Sequence, residues 1–186
     1  HLSVHSFPTR RSSDLRESHR SAGEAAAAGG VTTLVQQPDT TPALDEPALV
    51  QFTLARAREA SPVRVHAMGA LTRGLAGREM TEQQFLLDAG AVALTDADHP
   101  VADAKVFLTC LKYATSTGAL VVHHPQEPSL SAGACATSGE FASRLGLPSV
   151  PAFAERMMLA RDLALVGATR ARYHADQLST EAALGP

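Results

Sequence analysis

Histidines, carboxylates and carboxamides recur in this sequence where short apolar runs stop: Gln36, Gln37 and Asp39; His66; Asp96 and Asp98; His123, His124 and Glu127; and His174, Asp176 and Gln177. Imidazoles and a carboxylate brought together can bind a hydrolytic metal and lower the pKa of its bound water, which is the chemistry that amide hydrolysis needs. Taken singly, each residue also has an ordinary use as a helix cap, a loop hydrogen bond or a satisfied histidine. The set carries more than its members. The sharpest run is Leu120-Val-Val-His-His124, which reads as a buried strand ending in two imidazoles. Adjacent strand residues point to opposite faces, so only one of the two can enter a site.

The elements that must position these groups follow a repeating pattern. Ser21 to Ala28 favours helix and Gly29-Gly30 stops it; Val31 to Gln37 reads as a β-branched strand, ended by Pro38-Asp-Thr-Thr-Pro42. Asp45 is placed to cap the next helix, with Val50, Leu54 and Ala57 on one face, and Val63 to Ala67 forms the following strand. Thr81 to Gln84 fits a capping box, Gly90 closes that helix, and Ala91 to Thr95 is a strand ending at Asp96. A helix marked by Val101, Ala104, Leu108 and Leu111 runs to Gly118, before the His123-His124 strand. Beyond a longer loop, in which Thr137 and Glu140 could cap a short helix, Phe153, Met157, Ala160 and Ala164 define an amphipathic helix and Arg172 to Ala175 the last strand.

Strand ends near residues 37, 67, 95 and 124 are spaced by roughly 30, the length of a βα unit. Short Val-, Leu- and Ala-rich strands suit a parallel sheet buried on both faces. Periodicity leaves a doubly wound sheet and a section of a (β/α)₈ barrel both open, and in either the polar residues collect at the carboxyl edge of the strands. No Gly-x-Gly-x-x-Gly turn follows a strand, which counts against a nucleotide fold.

The 186 residues, 45% hydrophobic and 19% charged, suffice for one globular core. A formal charge of −3 without basic clusters beyond the first twenty residues gives no footprint for nucleic acid or an anionic membrane, leaving small molecules or proteins as partners. Cys110 and Cys135 form no metal-type or disulfide framework, which suits a reducing cytoplasm. No stretch reaches the roughly 20 apolar residues of a membrane helix.

Residues 1–15 differ in composition from the rest, and His5-Ser-Phe-Pro-Thr-Arg-Arg-Ser-Ser-Asp-Leu15 resembles an in-frame translation of a common sequencing-adapter oligonucleotide. The expectation is a non-native, disordered leader over 1–15 and a partial barrel domain over 16–186, cut at both ends.

Six blocks carry a family resemblance: Ala25 to Thr33, the Gln37-Pro-Asp-Thr-Thr-Pro42 turn, Gly90-Ala-Val-Ala-Leu-Thr-Asp96, the His123-His124 strand end, Pro151-Ala-x-Ala-Glu155 with Arg161-Asp162, and Arg172-Tyr-His-x-x-Gln-Leu-Ser-Thr180. In order and spacing they resemble dihydroorotase, a cyclic amidohydrolase. The resemblance implies an α/β fold, a partial (β/α)₈ TIM barrel of the metal-dependent hydrolase type, covering roughly strands 2–6. It also implies zinc, and closure of N-carbamoyl-L-aspartate to dihydroorotate in pyrimidine biosynthesis.

Carried over by position, the resemblance makes Asp96 the carboxylate ligand, with Ala97 where a second acidic residue commonly follows. His124 becomes the fifth-strand metal ligand, and His123 is left to packing or support. Gln177 stands where a sixth-strand histidine ligand would be, and Asp39 replaces an asparagine that helps hold the substrate carboxylate. The first-strand His-x-His pair is missing and the catalytic aspartate is expected beyond Pro186. Glutamine is a weak zinc ligand, and an aspartate repels a dianionic substrate. Two functions therefore stand: a cyclic amidohydrolase with a degenerate metal site, or a non-catalytic dihydroorotase-like subunit supporting aspartate carbamoyltransferase assembly. An oligomer is compatible with both, and an unrelated α/β binding module is the third class.

Overall fold

The computed structural model describes residues 3–4 and 18–184. Ser3–Val4 (β1) is a two-residue strand, and the rest of the expected leader lies outside the described residues. The chain continues through α1 (His19–Ala28), β2 (Thr33–Gln36), α2 (Pro47–Ala60), β3 (Arg64–Ala70), α3 (Gln83–Asp88), β4 (Ala91–Thr95), α4 (Ala104–Thr117) and β5 (Leu120–His123). Then come α5 (Pro128–Ser131), β6 (Ala136–Thr137), α6 (Glu140–Arg144), β7 (Ser149–Val150), α7 (Phe153–Thr169) and β8 (Arg172–Ala175). Among the described residues one six-stranded parallel sheet runs β1-β2-β3-β4-β5-β8, and β6 and β7 form a small parallel pair aside from it. Every main-sheet pairing is parallel because each strand is followed by a return element that packs on the outside.

Two apolar layers hold the sheet. On the helix side Val50 and Leu54 of α2, Leu86 of α3, and Phe107, Cys110, Leu111 and Ala114 of α4 pack against Ala67, Leu94 and Val121. On the other side Val35, Met68, Ala93 and Val122 form a thin inner cluster, one residue from each of four strands. Completely removing a side chain such as Phe107 or Leu111 from water contributes roughly 1.5–3 kcal/mol, so the helix-side layer dominates. The sheet also curls. β2 and β8 are separated by β3, β4 and β5, yet the Gln37 amide nitrogen lies 3.5 Å from an Asp176 carboxylate oxygen. That convergence of distant strand ends is the curvature of a barrel and not of an open twisted sheet.

Helix limits follow the sequence closely where glycine or proline sets them. Pro47 stands at the start of α2, and Gly118 ends α4 in the left-handed region at φ 70°. Elsewhere four expectations are corrected. β3 runs on to Ala70, through Met68 and Gly69, so its carboxyl end is Leu71-Thr72 and His66 is an exposed mid-strand residue. Asp45 does not cap α2; its Oδ2 accepts the Gly74 N–H at 2.9 Å, tying the α2 entry to the loop after β3. Thr81 does not cap α3, because its hydroxyl donates to the Ala70 carbonyl at 2.7 Å. The α6 N-cap position is held by Gly139 and not by Thr137.

The largest correction concerns α7. Phe153 and Met157 are each 53% exposed, and the buried face is Ala154, Glu155, Met158, Leu159 and Asp162. Two carboxylates lie on that face because both are fully hydrogen bonded, which removes the cost of burying them.

Candidate active site at the strand ends

Alternation along the strands decides which side chains enter the barrel mouth. Val35 and Val122 belong to the inner cluster, so Gln37 and His124, two residues further along β2 and β5, occupy the next layer on the same side. The β5–β8 ladder pairs Val122 with His174, and continues with the Asp176 N–H donating to the His123 carbonyl at 2.9 Å. Asp176 thus stands in the layer of Gln37 and His124. His174, one layer below, is exposed.

His123 faces the other way. It is 1% exposed, its Nδ1 lies 2.6 Å from Asp162 Oδ2, and its Nε2 accepts the Val101 N–H at 2.9 Å. Those partners place the ring proton on Nδ1, donating to the carboxylate. The ring stacks on Phe107, with centroids 4.5 Å apart.

Asp162, itself wholly buried, accepts at its other oxygen from Arg161 Nε at 2.9 Å and Nη2 at 2.6 Å, and at Oδ2 from the Tyr173 hydroxyl at 2.9 Å. Arg161 also donates to the Val101 and Ala102 carbonyls at 2.8 and 2.9 Å. Burial, and then the Asp162 charge, push the Tyr173 phenol above its usual range, so it stays a donor. This group locks β5, β8, α7 and the loop before α4 together behind the site.

Asp96 is 1% exposed at the end of β4 and turns toward β3. Its Oδ1 accepts the Leu71 and Thr72 N–H groups at 3.0 and 2.8 Å, and its Oδ2 accepts the Thr72 hydroxyl. Burial raises its pKa, with the Thr72 and Leu71 bonds working against that rise. Ala97 follows in the left-handed region at φ 53°. Across the mouth the Gln177 side-chain amide donates to Asp98 Oδ1 at 2.7 Å, joining the β8 end to the β4 end. Gln177 also has positive φ, 55°. Asp39 is half-buried in the turn after β2, and Gln36 points outward, where its Oε1 lies 2.7 Å from His19 Nε2. Glu127 caps α5, accepting from the Ser129 hydroxyl at 2.7 Å.

His124 keeps an open donor atom. Its Nε2 is bonded to Gln126 Oε1 at 2.9 Å, and its Nδ1 is buried with no hydrogen-bond partner among the described residues. A zinc centre of the hydrolytic kind takes three or more protein ligands. Among the described residues no group of three or more His, Cys, Asp or Glu side chains is placed to hold a metal ion. Asp96 is spent on β3, Gln177 is spent on Asp98, and His124 stands alone. Among the described residues the donors do not make up a complete metal centre.

In the first turn of α7 Glu155 accepts four bonds from the segment after β8, from the backbone and hydroxyl of Ser179 at 2.9 and 2.8 Å and of Thr180 at 3.1 and 2.8 Å. Burial pulls its pKa up, but these donors outweigh it and hold the carboxyl below its usual value. Sequence reasoning missed the roles of Asp162, Glu155 and Thr72. The adjacent Arg161-Asp162 pair was the available signal for the first, since an acid beside an arginine on a helix with apolar neighbours suits a buried ion pair.

The comparisons with known proteins now bear on this geometry. The Dihydro-orotase-like family model matches residues 1–183. The chain belongs to that family. A dihydroorotase of Desulfotalea psychrophila is 39% identical over 166 residues, covering 89% of this chain and 39% of that protein. A dihydroorotase-like protein of Pseudomonas aeruginosa is 42% identical over 156 residues, covering 84% and 37%. Among solved structures, the D-hydantoinase of a Thermus species aligns with TM-score 0.74 at 18% identity over 98% of this chain and 41% of that one. The Saccharomyces cerevisiae dihydroorotase aligns at 0.61 and 12% over 92% and 46%. This dihydroorotase-like chain is a section of an amidohydrolase (β/α)₈ barrel and spans about two-fifths of the length of the curated relatives it matches. Among the described residues no helix is long and apolar enough to cross a membrane.

Proposed function

We propose that the protein is a dihydroorotase-like cyclic amidohydrolase of pyrimidine biosynthesis whose metal centre is degenerate in this chain. For the whole protein, of whose relatives' length this chain spans about two-fifths, the substrate pair is N-carbamoyl-L-aspartate and dihydroorotate, in a reducing cytoplasm, and this chain by itself is expected not to turn them over. The observation that carries the reading is His124: a fifth-strand imidazole at the barrel mouth whose buried Nδ1 has no hydrogen-bond partner among the described residues, as a ligand atom would be. Asp96 and Gln177 supply the degeneracy, since each is committed to a neighbouring strand end. Asp39, in the turn after β2, stands where the family resemblance puts an asparagine that helps hold the substrate carboxylate, and an aspartate cannot donate that hydrogen bond. No catalytic step is assigned through zinc, because the donors do not complete a site.

Metal analysis after equilibration with excess zinc and dialysis, together with dihydroorotate turnover, tests this directly. The expected result is less than one zinc per chain and no turnover. One tightly held zinc per chain with hydrolysis of dihydroorotate overturns the degeneracy.

The Gln177–Asp98 bond favours a second reading, a non-catalytic subunit that supports assembly of aspartate carbamoyltransferase. It closes the β4 and β8 ends on each other, a use of the mouth that serves rigidity. Co-sedimentation with the aspartate carbamoyltransferase catalytic chain is expected under that reading, and independent migration of the two removes it.

A further inference from the structure

Helix α7 carries two faces, and the barrel section accounts for one of them. Ala154, Glu155, Met158, Leu159 and Asp162 are buried, whereas Phe153, Met157, Ala160 and Ala164, the residues whose spacing marks the helix as amphipathic, are all exposed. Gly167 and Ala168 continue that second stripe to the last turn and are exposed as well. Successive residues step by about 100° around a helix, so the stripe centres roughly 160° from the buried face. The neighbouring helices of a (β/α)₈ barrel stand beside a helix in the outer ring and pack on its flanks. Completing the barrel therefore leaves the stripe uncovered. No charged side chain lies on it; the exposed cations Arg156 and Arg170 run along one side, and Arg161 is committed to Asp162.

The stripe also has a gradient of size. Phe153 and Met157, each 53% exposed, stand at its N-terminal end, and from Ala160 onward it holds only alanine and glycine. A Cβ at Gly167 would meet nothing within 4 Å. Such a surface is complementary to itself run backwards. In an antiparallel pair Phe153 falls across from Ala168 and Met157 from Ala164, and both pairings share one midpoint, between Ala160 and Arg161, so a single two-fold axis satisfies both. The small Ala160 beside that axis lets the helix axes approach to about 8 Å. The same axis suits the charges: Arg156 falls across from Leu165, which sets the two Arg156 side chains about 13.5 Å apart along the helices, beyond the screening length of about 10 Å at 0.1 M salt. A parallel pair would instead set Phe153 on Phe153 and leave the alanine and glycine end gapped.

We propose that the outward stripe of α7 is an interface between two copies of this chain, packed antiparallel about a two-fold axis beside Ala160. The occupant is a second copy because the large end of the stripe fits its own small end. A 17-residue helix is about 25 Å long and about 10 Å wide, a footprint well short of the roughly 800 Å² per partner of a standard interface. The dimer is accordingly weak, with a Kd on the order of tens of micromolar. It depends neither on the metal centre nor on turnover.

Sedimentation velocity of the full chain across about 1 to 500 µM decides it, with the expected result a monomer at the dilute end and a dimer at the concentrated end. Ala164→Glu puts an unpaired carboxylate across from the partner's Met157 twice per dimer, and is expected to raise the Kd by at least about tenfold. Because Ala164 is exposed, the melting temperature of the dilute variant is expected to equal that of the parent. Met157→Ala, which removes one of the two large side chains without adding charge, is expected to weaken the dimer by about tenfold. A chain that stays monomeric throughout, or a dimer that keeps its affinity in both variants, overturns the proposal. Larger assemblies indifferent to Ala164→Glu also overturn it, and point to the edges of the sheet instead. An Ala164→Glu protein that melts lower when dilute shows that the stripe packs within one chain, which overturns it as well.

Discussion

At the scale of single residues, the chain uses its buried charges to fasten elements more than to perform chemistry. Asp162 accepts from three different side chains, so removing it strands a partly buried guanidinium, an imidazole N–H and a phenol at once. Asp162→Ala is expected to lower stability by about 3–5 kcal/mol, the range for breaking a buried ion pair from one side, read from the urea midpoint. Glu155 has a pH signature. Its folded pKa lies below its ordinary value of 4.5, so its contribution is complete above that pH and fades as pH falls through the lowered value. Glu155→Gln turns an amide NH₂ toward donors and is expected to cost about 1–3 kcal/mol at pH 7, with the gap to the parent closing in acid. A gap that widens below pH 4.5 would contradict this assignment. Asp96 works in the opposite sense. Its raised pKa gives a contribution that is present below its ordinary 3.8 and lost as pH rises through the raised value.

At the scale of elements, what was legible in the sequence was whatever backbone chemistry dictates locally. α2 could be placed from Pro47 and the apolar spacing, and Val50, Leu54 and Ala57 are indeed buried. Gly118 marked the end of α4, but Val101 lies before that helix, Ala104 is exposed and Leu108 half-buried, and the buried face is Phe107, Cys110, Leu111 and Ala114. α7 was misread because hydrophobic periodicity counts Phe153 and Met157 as core and carboxylates as surface. The helix turns its charged stripe inward, where partners distant in sequence, His123, Tyr173, Ser179 and Thr180, satisfy it. Such partners are invisible to a local pattern. β3 was cut short for a related reason. Met68-Gly69-Ala70 has weak strand preference, and the register with β4 shifts between Ala67 and Gly69, so tertiary pairing overrides local propensity there. Gly90, by contrast, is a local requirement at φ 108°, and a Cβ there would stand 2.8 Å from Leu54 Cδ1. Gly90→Ala is expected to cost about 1–3 kcal/mol. A melting temperature within a degree of the parent would mean that the turn from α3 into β4 relaxes freely.

At the scale of the whole molecule, the sequence pattern left an open sheet and a barrel section in balance, and the geometry that separates them is the meeting of Gln37 with Asp176 across three intervening strands. The curvature brings Gln37 to Asp176 across the mouth, while Asp96 at the β4 end accepts the Leu71 and Thr72 N–H groups at the end of β3. The two cysteines report whether this architecture is intact in solution. Cys110 lies wholly buried on α4, and burial, then the Asp96 charge, push its thiol up to about 12, so it should be inert while the helix-side core is closed. Cys135 is exposed in the loop before β6, lining a cleft of about 360 Å³. A thiol reagent at pH 8 is expected to modify Cys135 quickly and Cys110 only at the rate of global unfolding, with both reacting at once in denaturant. Rapid labelling of Cys110 in the native protein would show that α4 leaves the sheet, and with it the packing of Phe107 on His123 that holds the His123-His124 strand end in register.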